Sequence, residues 1–272
     1  MCHSKNPDDG NLTKGGVQVY PRQVHLLVAI VKYKTKLSIS RRGVCTTWLA
    51  NLPTGESLRL STTLFSCDIL GTRLPIAIRS GSLLVAPSST PIICIGPGTG
   101  IAPFRSFIQE RRALQSPSRD LVFVGCRNVA KDYFYRDEWE KEEMEGGVKV
   151  VVAASRDQVD LSHVLERSKL AERAIYQDEK VYVQDKIKEQ AELVWEMLDR
   201  GAWIYISGLA LCLLASASRL IDCLSAADKM PTAVREALVW VCDKKGKIST
   251  KEAKLFVERL SLQGRLQEET WS

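Results

Sequence analysis

The stretch that most constrains this chain is residues 91–105, PIICIGPGTGIAPFR. An apolar run enters three glycines at every second position, Gly96, Gly98 and Gly100, and leaves as an amphipathic segment over residues 101–114. A strand that turns on Gly-Pro-Gly into a helix leaves backbone N–H groups bare at the helix N-terminus. The helix dipole there favours an anion such as a pyrophosphate. The spacing departs from G-x-G-x-x-G, and an ordinary strand-to-helix turn can carry the same glycines, so on these residues alone both readings stand.

Two more apolar runs follow the same plan. Residues 121–125 read as a buried strand that ends in Cys126-Arg127-Asn128, and residues 148–154 as another that ends in Ser155-Arg156-Asp157. Open parallel sheets bind ligands at the carboxyl ends of their strands, and these ends carry small, polar or cationic residues. The expected fold is therefore α/β, with a doubly wound parallel sheet. Residues 180–200 predict one helix with Val183, Ile187, Gln190, Val194 and Met197 on its core face, and helices are expected over 231–244 and 249–262, the last capped by Ser249.

The N-terminal third reads differently. Residues 24–33, VHLLVAIVKY, predict a strand, RRGVCTTWLANL a glycine turn that opens a short helix, and residues 74–85 two short strands around Gly81. Residues 1–20 are polar and expected to be disordered, with no apolar core for a signal peptide or an anchor. The longest apolar run, residues 209–217, falls short of the roughly 20 residues that span a bilayer, so no membrane association is expected. A net charge of +6 with no lysine-rich tract gives no reason to expect nucleic acid. The eight cysteines have no metal-ligand spacing and read as reduced thiols, so no metal and a cytoplasmic location are expected.

GPGTGIAPFR, FVGCRN, YFYRDEW, SRDQ, KVYVQ, KMPTAVREAL and ETWS follow one another over roughly residues 85–272. In that order they resemble the NADPH-binding half of the ferredoxin-NADP reductase superfamily. The resemblance is to its diflavin branch, which holds cytochrome P450 reductase and the diflavin oxidoreductases of cytosolic iron–sulfur assembly. GPGTGIAPFRSFIQERR together with ETWS looks most like the latter. The resemblance implies an NADP-binding domain over 89–272 behind a truncated antiparallel β-barrel for FAD over 21–88. It places Gly96, Gly98, Thr99 and Gly100 on the NADPH pyrophosphate, with Cys126, Arg127 and Asp228 also on the nucleotide. Ser155, Arg156, Lys180, Tyr182 and Gln184 match the 2′-phosphate and ribose set, to which an arginine fork is suited. Ser207 stands where related reductases carry a cysteine, and Glu269 at their acidic position beside the nicotinamide. Trp271 matches the aromatic that stacks on the isoalloxazine ring, and Gly43, Val44, Cys45 and Thr46 match a stretch that holds the FAD pyrophosphate. Taken singly, each of these is an ordinary surface residue or cap.

The sequence also departs from the family. Its first FAD motif, Arg-x-Tyr/Phe-Ser, does not occur in residues 1–23, and no flavodoxin-like FMN domain is present. The chain thus reads as a C-terminal piece in which electron transfer to FMN is excluded. Residues 159–179 and 209–226 interrupt SRDQ…KVYVQ and the stretch before ADKMP, and read as insertions; residues 64–72 also look extra. In the intact family NADPH reduces FAD, FAD passes electrons to FMN, and FMN reduces an iron–sulfur protein of the anamorsin type. Two alternatives stay open: an inactive nucleotide-binding module, and a single-flavin enzyme like ferredoxin reductase.

Overall fold

The computed structural model describes residues 24–34, 40–52, 59–61, 66–69, 72–75, 77, 81–117, 119–156, 180–209 and 229–271. The expectations for residues 1–20, 159–179 and 210–226 lie outside them. The chain first lays down short antiparallel pieces. β1 (Lys32–Lys34) pairs with β2 (Ser40–Arg42), and α1 (Val44–Ala50) follows at once. β3 (Arg59–Ser61), β4 (Ser66–Ile69) and β5 (Thr72–Pro75) form a three-stranded sheet. Neither sheet closes into a barrel among the described residues. The strand predicted over 24–33 shrinks to its last two residues. A strand persists only where a partner takes its backbone groups, and the ladder with β2 covers only Lys32 to Lys34.

From residue 92 onward the chain alternates strand and helix: β6 (Ile92–Pro97), α2 (Ile101–Ala113), β7 (Asp120–Cys126), α3 (Val129–Asp132), α4 (Arg136–Met144), β8 (Val148–Ala154). Then come α5 (Val183–Glu189), α6 (Ala191–Asp199), β9 (Trp203–Leu209), α7 (Lys229–Gly246), α8 (Thr250–Leu262) and β10 (Leu266–Trp271). The sheet runs in the order β10-β9-β6-β7-β8, and every pairing is parallel. Successive side chains of each strand go to opposite faces. Ile93, Ile95, Leu121, Phe123 and Ile204 meet α5 to α8 through Ile187, Val194, Leu238 and Val257. On the other face Ile92, Cys94, Val122 and Tyr205 meet Ile101, Phe104 and Phe107 of α2 and Trp139 of α4. Both faces are covered, which is why the strands read as nearly continuous apolar runs. The doubly wound parallel sheet expected from the sequence is present.

Of the two short strands expected over 74–85, Leu74 and Pro75 close β5 while residues 81–85 form no strand, and two further outcomes also differ from the sequence reading. The helix predicted over 180–200 breaks at Gln190, which leaves helical geometry at φ −96° and ψ 23° while its side chain accepts a hydrogen bond from Lys149 Nζ at 2.7 Å. Val183, Ile187, Val194 and Met197 are buried as predicted; Gln190 is only half-buried. Leu209, expected to begin an excursion, closes β9 opposite Trp271. Ser249 caps α8 in a reciprocal box with Glu252, as its sequence position implies. No helix among the described residues is long and apolar enough to cross a membrane.

Candidate active site

Starting from β8, the sheet reads third, second, first, fourth, fifth strand, and the order reverses between β6 and β9. Ligands of open parallel sheets lie outside the carboxyl ends at such a reversal. The glycine turn stands there. A Cβ on Gly100 would lie 1.9 Å from the Ser207 carbonyl oxygen and 2.7 Å from Gly208 Cα, so the turn rests backbone to backbone on the end of β9. Gly98 has φ +59°, with nothing within 4 Å of the place a side chain would take. That conformation favours glycine and leaves the turn open on its outer side. α2 then starts from Gly100 with no side-chain cap and no acidic residue in its first turn, so its dipole favours an anion there, although the Ile101 N–H already donates back into the 3-10 turn Gly98–Gly100 and Pro103 carries none. Thr99 sits between these two glycines.

The neighbouring strand ends form a shelf beside the turn. Ser155 N donates to Cys126 O at 3.0 Å and Arg156 N to Arg127 O at 2.8 Å, carrying the β7–β8 pairing past the end of both strands. Cys126, Arg127, Ser155 and Arg156 are thereby brought together. The Arg127 guanidinium donates to both oxygens of Asp132, at 3.0 and 3.2 Å, while Arg156 is exposed. α5 begins over the same shelf: a Cβ on Gly125 would stand 3.0 Å from Val183 Cγ1. This returns Lys180, Tyr182 and Gln184 to the edge that carries Ser155 and Arg156. Tyr182 is the residue before α5 and is 44% exposed, Lys180 is exposed and Gln184 half-buried.

On the other side of the reversal, Glu269 stands in register with Ser207 and Trp271 with Leu209. Ser207 is buried, and by strand alternation it shares the face of Tyr205, as Glu269 shares that of Gln267. That is the α2 face. Asp228 lies outside the described residues, and of Trp271 only the backbone is described.

A family profile described as an oxidoreductase NAD-binding domain matches residues 94–217, which take in β6 through β9. The NADPH-dependent diflavin oxidoreductase 1 of Mus musculus is 36% identical over 255 residues, covering 93% of this chain and 34% of the relative. The proteins of the same name in Cryptococcus neoformans and Arabidopsis thaliana are 35% and 33% identical, over 93% of this chain and 33% and 34% of their own lengths. Over 93% of its length the chain is homologous to proteins named NADPH-dependent diflavin oxidoreductase 1. It spans about one third of the length of these relatives.

The second candidate cluster, Gly43 to Thr46, stands apart on its own turn. Gly43 N donates to Val31 O at 2.9 Å, and Thr46 Oγ1 accepts from Val31 N at 3.1 Å, so the threonine hydroxyl serves the turn itself. α1 has no side-chain cap; Val44 is 89% exposed and Cys45 is exposed.

Other residues at the site went unremarked in the sequence. Asp132 holds Arg127, and the only sequence signal for it is an acid one helical turn beyond the arginine. Arg105, the last residue of the glycine motif, forks onto Glu138 at 2.7 and 3.0 Å and lies 4.6 Å over the Tyr135 ring. Tyr135 adopts the left-handed φ of 61°, for which the sequence offers no signal. Burial pushes the Tyr133 hydroxyl up to about 12, so it stays protonated as a donor.

Proposed function

We propose that this chain is the NADPH-oxidising part of a flavoprotein oxidoreductase. The observation that carries the reading is Gly100, which has no room for a side chain against Ser207 and Gly208, at the one place in the sheet where the strand order reverses. The open turn at Gly98 and the uncapped start of α2 suit a pyrophosphate, so the residues present fit a dinucleotide. When bound, NADPH would supply a hydride to FAD, and in whole relatives FMN would carry the electrons on to an iron–sulfur protein of the anamorsin type in the cytoplasm.

The chain's own residues bind and orient. Gly96, Gly98, Thr99 and Gly100 hold the pyrophosphate. Ser155 and Arg156, with Lys180, Tyr182 and Gln184 returned to the same edge, hold the ribose and its 2′-phosphate, and Arg127 and Cys126 line the shelf between. Ser207 and Glu269 orient the nicotinamide, Trp271 covers the flavin, and Gly43 to Thr46 take the FAD pyrophosphate. In the sequence, residues 159–179 and the stretch after Leu209 up to residue 226 stand as insertions between the motifs of this site, and Asp228 follows the second.

Titration calorimetry with NADP⁺ and NAD⁺ tests the assignment. Arg156→Ala should weaken NADP⁺ by roughly 1.5 kcal/mol, the lower end for a charge-assisted bond at an exposed site, and leave NAD⁺ unchanged. Equal losses for both nucleotides remove Arg156 from the 2′-phosphate.

A second reading is a nucleotide-binding module without flavin, favoured by Thr46 of the candidate FAD turn, whose hydroxyl already accepts from the Val31 N–H at 3.1 Å. It predicts that the purified chain carries little FAD. A visible spectrum with stoichiometric flavin bands after gel filtration rejects that module.

A further inference from the structure

The segment between the antiparallel pieces and the parallel sheet is held by side chains at several backbone groups. Tyr205 Oη donates to Leu84 O at 2.8 Å and accepts from Ala86 N at 2.9 Å. Gln267 Oε1 accepts from Leu84 N at 2.6 Å, while its Nε2 donates to Leu84 O at 3.3 Å and to Gly264 O at 2.8 Å. Further along, the Arg111 guanidinium donates to Pro87 O, Ser88 O and Thr90 O. Tyr205 is fully buried against Phe107, ring centroids 5.0 Å apart, so its hydroxyl is aimed by a fixed ring. Burial also pushes that hydroxyl up, which keeps its proton for Leu84 O.

The placement of these two side chains carries the inference. Tyr205 lies two residues before Ser207 on β9, and Gln267 two residues before Glu269 on β10, on the same face and in register with each other. On both strands the clamp therefore sits about 7 Å from the candidate nicotinamide residue, along a backbone that cannot stretch. What the clamp holds belongs to the flavin side: Leu83 and Val85 flank Leu84, and with Leu27 they pack on the same core cluster as Tyr205. Taking the proposed hydride transfer as given, we propose that Tyr205 and Gln267 are positioning residues that seat the flavin-side segment against the Ser207–Glu269 rung by gripping the backbone of Leu84 and Ala86. Neither touches the nucleotide turn. They act through the segment they hold.

Hydrogen exchange of the full chain gives the first readout. In the native protein the Leu84 and Ala86 amides are protected. Tyr205→Phe, which keeps the ring in its cluster, frees the Ala86 amide; combined with Gln267→Ala it frees Leu84 as well, and the peptide over residues 24–34 loses protection with them. NADP⁺ affinity stays within twofold, which shows that the sheet is intact. The second readout is turnover of NADPH with ferricyanide and added FAD, in which kcat falls on the order of tenfold or more while KM for NADPH holds, as expected when a reacting ring is misplaced. Unchanged exchange over 24–34 in the double variant overturns the proposal, as does a rise in KM with kcat unchanged. A native chain that binds NADP⁺ but shows no flavin-dependent turnover overturns the oxidoreductase reading instead, and the exchange result alone then decides whether the clamp seats the segment.

Discussion

β6 and β2 are both short strands, yet their supports are opposite. β6 is buried from Ile92 to Gly96, has a partner on each side and a helix layer on each face. β2 is exposed along its length and, among the described residues, pairs with β1 alone before a helix of seven residues follows. In the parallel half a residue is fixed by packing from several directions at once. Among the described N-terminal residues, a few hydrogen bonds around Val31 and Gly43 fix the turn into α1. The same kind of substitution should therefore cost very different amounts in the two halves.

The largest gap is expected between two arginines. Arg111 and Asp120 form a pair at 2.7 Å, each side chain 4% exposed, and Arg111 also caps three carbonyls. Burial pushes the Asp120 carboxyl up while Arg111 beside it pulls the other way, so the arginine is what makes the buried charge tolerable. Arg111→Met should cost about 3–5 kcal/mol in a urea melt, because it strands that carboxylate. Arg41→Met on exposed β2 should stay within about 0.5 kcal/mol. Similar costs at the two positions would erase the contrast.

A pair of glycines gives the next test. Gly100→Ala drives a methyl against the Ser207 carbonyl, which is backbone in a buried ladder and cannot yield. A loss of about 3 kcal/mol follows, together with the nucleotide site. Gly43→Ala meets Thr46 Oγ1 at 2.7 Å and Val31 Cβ at 2.9 Å, side-chain atoms in a half-exposed turn that can move. Its expected cost is about 1 kcal/mol. A larger loss at Gly43 would mean that the N-terminal turn is as tightly determined as the sheet.

This contrast also explains what could be read before the fold was known. Val148 to Ala154 was legible to the residue because its run of β-branched and small apolar residues stops sharply at Ser155-Arg156, even though this edge strand is fully buried only at Val148 and Ala153. The Ser249 cap was legible because its chemistry is local. The break at Gln190 was not, since it goes with a lysine on β8. Residues 24–33 are apolar and rich in β-branched residues as a strand should be, but a strand also needs a neighbour, and composition is silent on that. At the site, the glycine turn was plain from its own residues. Its seating on Ser207 and the meeting of Arg127 with Arg156 depend on strand order, which periodicity does not encode.

The smallest expected effect concerns a polar contact between residue 25 and α2. His25 Nδ1 lies 3.1 Å from Arg105 Nη1, and burial first, then the Arg105 charge, lower its pKa from 6.5, with Glu138 opposing. The ring accepts from the guanidinium only while neutral. Because the folded value is depressed, the contribution of this contact is present above the unfolded value of about 6.5 and is lost as pH falls through the folded one. The contact is largely open to solvent, so its worth is under about 1 kcal/mol. Proton NMR should show His25 titrating below a free histidine, and Arg105→Gln should raise that midpoint. The Leu84 and Ala86 amides, held by Gln267 and Tyr205, should keep their protection through the same acid step, since neither clamp residue titrates there. If His25 titrates at or above the free value, the ring is not held by Arg105; if Ala86 loses protection together with it, the N-terminal segment and the clamp release as one unit and the division between the two halves falls elsewhere in the chain.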